Sequence, residues 1–153
     1  MVTAFRPDHR LGDVVASALR QCARVVVVDN TPDGAPGAQE VLTHREPSVL
    51  LVRTGRNEGL AAALNRGVQA AGDADVLFLD QDSVLPGDLV DRLERHLADP
   101  GVGIAAPAPW DAAAGRYLDP RTSRRPPVAD LPVVITSGML VARRALDVVG
   151  RLR

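Results

Sequence analysis

Apolar positions along this chain follow two rhythms that take turns. Residues 2–5 form a short apolar run ended by Pro7, which predicts a first strand. Over 11–22, Leu11, Val14, Val15, Ala18, Leu19 and Cys22 recur at helical spacing. Val25-Val26-Val27-Val28 is a β-branched run without polar alternation, as expected of a parallel strand buried on both faces. Residues 29–34 are dense in turn chemistry, and a short helix is predicted around 38–43. Residues 49–52 read as a third strand. A helix over 58–71 has Leu60, Ala61, Leu64, Val68 and Ala71 as its buried stripe. Residues 76–79 form a fourth strand that runs into Asp80-Gln81-Asp82. A helix over 86–98 starts at Pro86 and turns Leu89, Val90, Leu93 and Leu97 inward. A fifth strand is predicted at 102–106. Residues 107–132 lack periodicity and read as a surface excursion with a hairpin near 110–118. Further strands at 133–135 and 139–142 precede a helix at 144–149 that Gly150 stops.

This alternation predicts an α/β layered domain, with a mostly parallel central sheet flanked by helices and right-handed crossovers. The chain has 153 residues, which suits one domain, and 46% of them are hydrophobic. Aromatic residues make up only 3%, so the core is expected to be aliphatic. The formal net charge of -1 gives no argument for nucleic acid or an anionic membrane. Every basic residue is Arg. Cys22 is the single cysteine, which rules out an internal disulfide and a cysteine zinc cluster and fits a reducing, cytoplasmic setting. No apolar run approaches the length of a membrane span. The chain opens almost inside an apolar segment and stops just after a helix-like stretch, so a fragment or a shortened protein is expected.

In open α/β sheets, ligands sit at the carboxyl ends of strands. Three polar clusters fall there: residues 3–8, Asp29-Asn30 and residues 80–83. Loops at these ends should lie together, joined by the helix start at Asn57. If the chain stays extended through Asp80 and Asp82, both carboxylates face one side. They would repel each other unless a hard cation shared them. Such a cation takes one or two carboxylates and completes its shell with water and phosphate oxygens. The competing assignment is a solvated Asp-rich loop that caps the next helix. Asp29 either accepts from a base N–H or ribose hydroxyl, or closes an Asx-turn. Asn57 reads as a helix cap before it reads as a ligand contact. Gly59 and Gly67 are expected to permit close helix–sheet approach. Asn65, a poor interior helix former, needs solvent or a polar partner. Arg53 and Arg56 suit phosphate, base or solvent. Arg124-Arg125 and Arg143-Arg144 read as surface charge. His9, His44 and His96 show no metal spacing.

Five segments, in order, carry a likeness to a known family. They are Thr3-Ala4-Phe5-Arg6-Pro7-Asp8, Val26-Val27-Val28-Asp29-Asn30, Asn57-Glu58-Gly59-Leu60-Ala61-Ala62-Ala63-Leu64-Asn65-Arg66-Gly67, Leu79-Asp80-Gln81-Asp82-Ser83 and Ser137-Gly138-Met139-Leu140. Through them the chain resembles family 2 glycosyltransferases of the GT-A fold, and most closely their bacterial rhamnosyltransferase-like members. The resemblance spans essentially the whole chain, residues 1–153, as a nucleotide-sugar-binding domain without the C-terminal acceptor-binding part. It implies that Thr3 and Phe5 border the base and that Asp29 binds base or ribose. It further implies that Asp80 approaches ribose or metal, while Asp82 ligates Mg2+ or Mn2+ bridging the diphosphate. Asn57, Gly59 and Asn65 would line the donor pocket, and Ser137 and Gly138 would lie by the sugar and acceptor.

The activity so implied is inverting transfer of a sugar from a nucleotide-diphosphate donor to a carbohydrate or lipid-linked acceptor, at the inner face of a membrane or in the cytoplasm. Peripheral membrane association is implied for the full-length protein. Members of this type use a further acid as general base, located after the glycine that follows the Ser137-Gly138 segment. No acidic residue follows Asp147 here, so the base is expected beyond Arg153. A donor-binding module without catalysis is therefore the alternative. A nucleotidyltransferase would carry a Gly-rich phosphate loop after the first strand, which residues 6–10 do not form. A dinucleotide fold would need G-x-G-x-x-G at the same place.

Overall fold

The computed structural model describes residues 1–42, 46–108, 110–111, 114–117 and 134–153. Five strands and five helices cover most of the alternating part. They run β1 (Val2–Ala4), α1 (Arg10–Leu19), β2 (Val25–Asp29), α2 (Ala38–Val41), β3 (Val49–Arg53), α3 (Leu60–Ala71), β4 (Val76–Asp80), α4 (Leu89–Leu97) and β5 (Ile104–Ala105), with α5 (Arg143–Val149) at the end. Between them lie a small hairpin of β6 (Trp110–Asp111) and β7 (Arg116–Tyr117), and the strand β8 (Met139–Val141). The main sheet has the order β3-β2-β1-β4-β8-β5. β3, β2, β1 and β4 are mutually parallel, and β8 runs antiparallel between β4 and β5. This is a mostly parallel α/β sheet flanked by helices, the class the sequence pattern predicts.

The core explains why the valine run is a strand. Val25 and Val27 face the cluster containing Leu11, Val14 and Ala18 of α1. Val26 and Val28 face the opposite side and meet Ala63 of α3. All five residues of β2 are buried, so the absence of polar alternation reflects helices on both faces. Phe78 of β4 is fully buried against Leu64, Val141 and Leu146. Gly67 approaches the sheet closely enough that a Cβ there would collide with Met1.

Several boundaries differ from expectation, and at the starts of α3 and α4 the reason is that side chains capture backbone N–H groups. α3 starts at Leu60 rather than 58, because the Glu58 N–H donates to Asn30 Oδ1 and the Gly59 N–H to Asn57 Oδ1. Gly59 is therefore not a close-approach glycine. Nothing lies within 4 Å of its would-be Cβ, and its φ of +84° is what demands glycine. α4 begins at Leu89 rather than Pro86, because Gln21 clamps the entry: its Nε2 donates to Pro86 O and its Oε1 accepts the Val90 N–H. α1 ends at Leu19, where the Gln21 and Cys22 N–H groups converge on Ala18 O. The fifth strand is only two residues long and stops short of Pro107. Of the strand expected at 133–135, residues 134–135 are not in strand and Val133 lies outside the described residues. Residue 43 of the predicted short helix, His44, Arg124-Arg125 and most of the 107–132 excursion also lie outside them.

Candidate functional site

β1 lies between β2 and β4, and the chain leaves it toward β2 before returning through α3 to β4. The connections thus diverge at the carboxyl ends of β1 and β4, where a doubly wound sheet opens a crevice. Thr3 sits at this place, in register with Val28 on one side and Asp80 on the other. Beyond β1, the Phe5 N–H donates to Gln81 Oε1 at 2.7 Å, and the Arg6 N–H donates to Thr31 Oγ1 at 2.7 Å. The first polar cluster is thereby tied to both of the others. Phe5 is 41% exposed, with the Arg6 guanidinium 5.5 Å from its ring centroid. Arg6 has a left-handed backbone, φ +46°, sparsely populated for a side-chain-bearing residue and common at functional sites.

Asp29 ends β2 with only 1% exposure. Its Oδ1 accepts the Thr31 N–H at 3.0 Å and its Oδ2 accepts the Ala38 N–H at 2.7 Å. The carboxylate thus folds the β2–α2 connection around itself. Asn30, 7% exposed, does the same for the connection after β3. Its Nδ2 donates to Asn57 Oδ1 at 2.9 Å, and its Oδ1 accepts from the Glu58 N–H at 3.0 Å and from the Thr54 hydroxyl at 3.2 Å. Asn57 therefore serves the loop ahead of α3 and is not the residue that caps it. Glu58 is held by Arg66 at 2.6 Å and by Arg56 at 3.2 Å, and the Arg66 hydrogen bond lowers its carboxyl below the usual range.

At β4, the expected extended geometry through Asp82 does not hold. The strand ends at Asp80, and the Ser83 N–H turns back to Asp80 O at 3.3 Å. Gln81 and Asp82 lie in that turn, so period-two alternation does not set the two carboxylates. They still sense each other. Burial, and secondarily the charge on Asp82, push the Asp80 carboxyl up, while a hydrogen bond with Ser137 opposes the shift. The Asp80 N–H also donates to Ser137 Oγ at 3.1 Å. Gly138 donates to Phe78 O at 2.8 Å, which anchors the Ser137-Gly138 turn against β4. Thr3, Asp80, Asp82 and Ser137 are thus gathered at one strand end, with Asp29, Asn57 and Gly59 at the neighbouring ends.

Asn65 is placed differently. Its amide is doubly bonded to Leu152, with Nδ2 donating to O and Oδ1 accepting from N–H, both at 2.9 Å. That is the polar partner a mid-helix Asn requires, supplied by the backbone after α5. Arg144 is more than surface charge, because its Nη2 donates to Leu97 O, Asp99 O and Val102 O at the carboxyl end of α4. Arg143 pairs with Asp147, and Arg53 with Asp33.

Three contributors escaped the sequence reading: Arg10, which reaches Asp82 at 3.3 Å; Gln81, through its side chain; and Asn30 as a hub. Asn30 and Gln81 each stand one step beyond a strand, but nothing in their identity separated them from turn chemistry, and Arg10, at the start of α1, carried no such signal. Among the described residues, no group of three or more His, Cys, Asp and Glu could hold a metal unaided. Two carboxylates with only oxygen donors fit a hard divalent ion that borrows the rest of its shell from phosphate and water. Among the described residues no helix is long and apolar enough to cross a membrane. A cavity of about 400 Å3 opens at the amino ends of the strands, lined by Met1, Cys22, Arg24, Val76 and Glu94, away from these groups.

A sequence model of the family described as Glycosyl transferase family 2 matches residues 1–145. The chain is also similar to the dTDP-rhamnosyl transferase RfbF of Shigella flexneri, at 24% identity over 168 aligned residues. That alignment covers 99% of this chain and 56% of the relative, so the chain spans little more than half the relative's length.

Proposed function

The chain belongs to glycosyl transferase family 2, and from that premise we propose that it binds a nucleotide-diphosphate sugar in the crevice between β1 and β4 for transfer to a glycan or lipid-linked acceptor. The observation that carries this reading is the pair Asp80 and Asp82 at the switch point of the sheet, the first at the last position of β4 and the second in the turn that follows it. Phe5 offers a half-open ring for the base, beside Thr3. Asp29 shapes the wall of the nucleotide pocket, and Asn57 and Gly59 set the loop at the start of α3. Asp80 and Asp82 would hold Mg2+ or Mn2+, which, when bound, neutralises the diphosphate as a leaving group. Ser137 steadies Asp80, and the turn it shares with Gly138 faces the sugar and acceptor. The transfer is inverting. An acceptor hydroxyl attacks the anomeric carbon as the bond to the diphosphate breaks, and its proton passes to a carboxylate base that we assign to no residue of this chain. The relative is a dTDP-rhamnosyl transferase, which makes dTDP-rhamnose the first donor to test.

Calorimetry with dTDP-, UDP- and GDP-sugars, with and without Mn2+, tests this reading. Metal-dependent binding of one donor is expected. Asp82→Ala should weaken it at least about tenfold, roughly 1.4 kcal/mol. Metal-dependent affinity that survives Asp82→Ala unchanged would refute the role of Asp82.

A further inference from the structure

Resting on that donor-site reading and deepening it, we propose that Arg10 guards Asp82 and then serves the donor. Its guanidinium holds the Asp82 carboxylate until a divalent ion claims it, and then turns to the diphosphate. Arg10 is the first residue of α1, the helix that follows β1, so the helix fixes its Cα on the β1 side of the crevice. One edge of the guanidinium is committed. Nε lies 3.0 Å from both Asp8 oxygens, Nη2 lies 2.9 Å from Oδ2, and the Arg10 N–H also donates to Asp8 Oδ1 at 3.0 Å. This grip holds the Asp8 carboxyl at about 2. The other edge reaches Asp82 Oδ2 through Nη1 alone, at a longer 3.3 Å.

The two contacts are unequal, and that inequality sets the order of release. All three side chains are about half exposed, 52% for Arg10, 49% for Asp8 and 46% for Asp82. Exposed single contacts of this kind are weak, so a doubly charged ion can displace Nη1 from Asp82. The forked contact to Asp8 remains. It keeps a cation beside the place where the metal and the diphosphate would meet, with Nη1 now free. A planar guanidinium with free N–H groups matches phosphate oxygens better than it matches a lone carboxylate oxygen. Arg10 thus competes with the metal and cooperates with the phosphate.

Those opposite roles give a test that a structural role cannot mimic. Two probes are measured on the full chain and on Arg10→Met: Mn2+ alone, by the electron paramagnetic resonance of free Mn2+, and dTDP and UDP at saturating Mn2+, by calorimetry. In Arg10→Met, Mn2+ alone should bind about 2- to 5-fold tighter, because a weak competitor is gone. The nucleotide should bind about tenfold weaker, because a charge-assisted contact is lost. Arg10→Lys, which keeps the charge without the fork, should keep Mn2+ affinity within about twofold of wild type and lose part of the nucleotide affinity. Equal affinities in wild type and Arg10→Met overturn the proposal while leaving the donor-site reading intact. A parallel loss of both affinities overturns it in favour of a structural role. If the wild-type chain binds neither probe, the donor-site reading falls and this proposal falls with it.

Discussion

Asp29→Asn changes almost no volume, yet it should be among the more damaging substitutions near the site. The wild-type carboxylate is 1% exposed and accepts two backbone N–H groups, from Thr31 at 3.0 Å and Ala38 at 2.7 Å, on different oxygens. An asparagine has one acceptor oxygen, so one of these N–H groups would face an NH2. The change removes a charge-assisted bond, about 1.5–3 kcal/mol, and leaves a buried donor unpaired, about 1–3 kcal/mol. The two costs overlap, because the unpaired donor is the one whose bond is lost. A net loss of about 2–4 kcal/mol follows, equivalent to a Tm drop of about 5–15 °C for a domain of this length. Urea unfolding followed by circular dichroism measures it, with the midpoint falling and the slope unchanged. Nucleotide affinity, measured at a temperature where the variant is folded, should fall less steeply than stability. If Asp29→Asn keeps wild-type stability to within about 0.5 kcal/mol and abolishes nucleotide binding, the assignment is wrong. The carboxylate would then be a ligand contact rather than the organiser of the loop.

Two further substitutions probe the frame around the site. Asn65→Ala removes both bonds to the Leu152 backbone and should cost about 1–3 kcal/mol by thermal unfolding, with faster hydrogen exchange at the Leu152 amide. Wild-type exchange there would show that the contact does not persist in solution. Phe78→Ala empties a fully buried position of β4, packed with Leu64 and Leu146, and should cost about 3–5 kcal/mol in urea unfolding. A cost below about 1 kcal/mol would mean that the β4–β8 core is not packed as described.

The elements themselves were largely legible because burial on two faces leaves a mark that single residues cannot hide. β2 and β4 are apolar runs because helices cover both sides of the sheet, and α1 and α3 carry their stripes because each covers one side. Element ends were less legible. Gln21 sets the start of α4 across 69 residues of chain, and Asn30 sets the start of α3 across 28. No local pattern encodes partners so far apart in sequence. The same limit applied to Asp80 and Asp82. Their spacing was visible, but the turn closed by the Ser83 N–H, rather than strand alternation, decides how they meet.

By itself, the sequence determined the α/β class, the strands that are buried, and the strand ends that carry acids. These follow from the period of apolar residues and from the place of Asp29 and Asp80 just past them. Only the tertiary structure decided that β1 lies between β2 and β4, and so which ends share a crevice. It also decided that Asp29 accepts two backbone N–H groups, that Asn65 serves Leu152, and that Arg10 stands against Asp82. The physical reason is common to all of these. Hydrophobic period is a local property of the chain, whereas a hydrogen bond or an ion pair depends on which distant groups the packed sheet brings within about 3 Å.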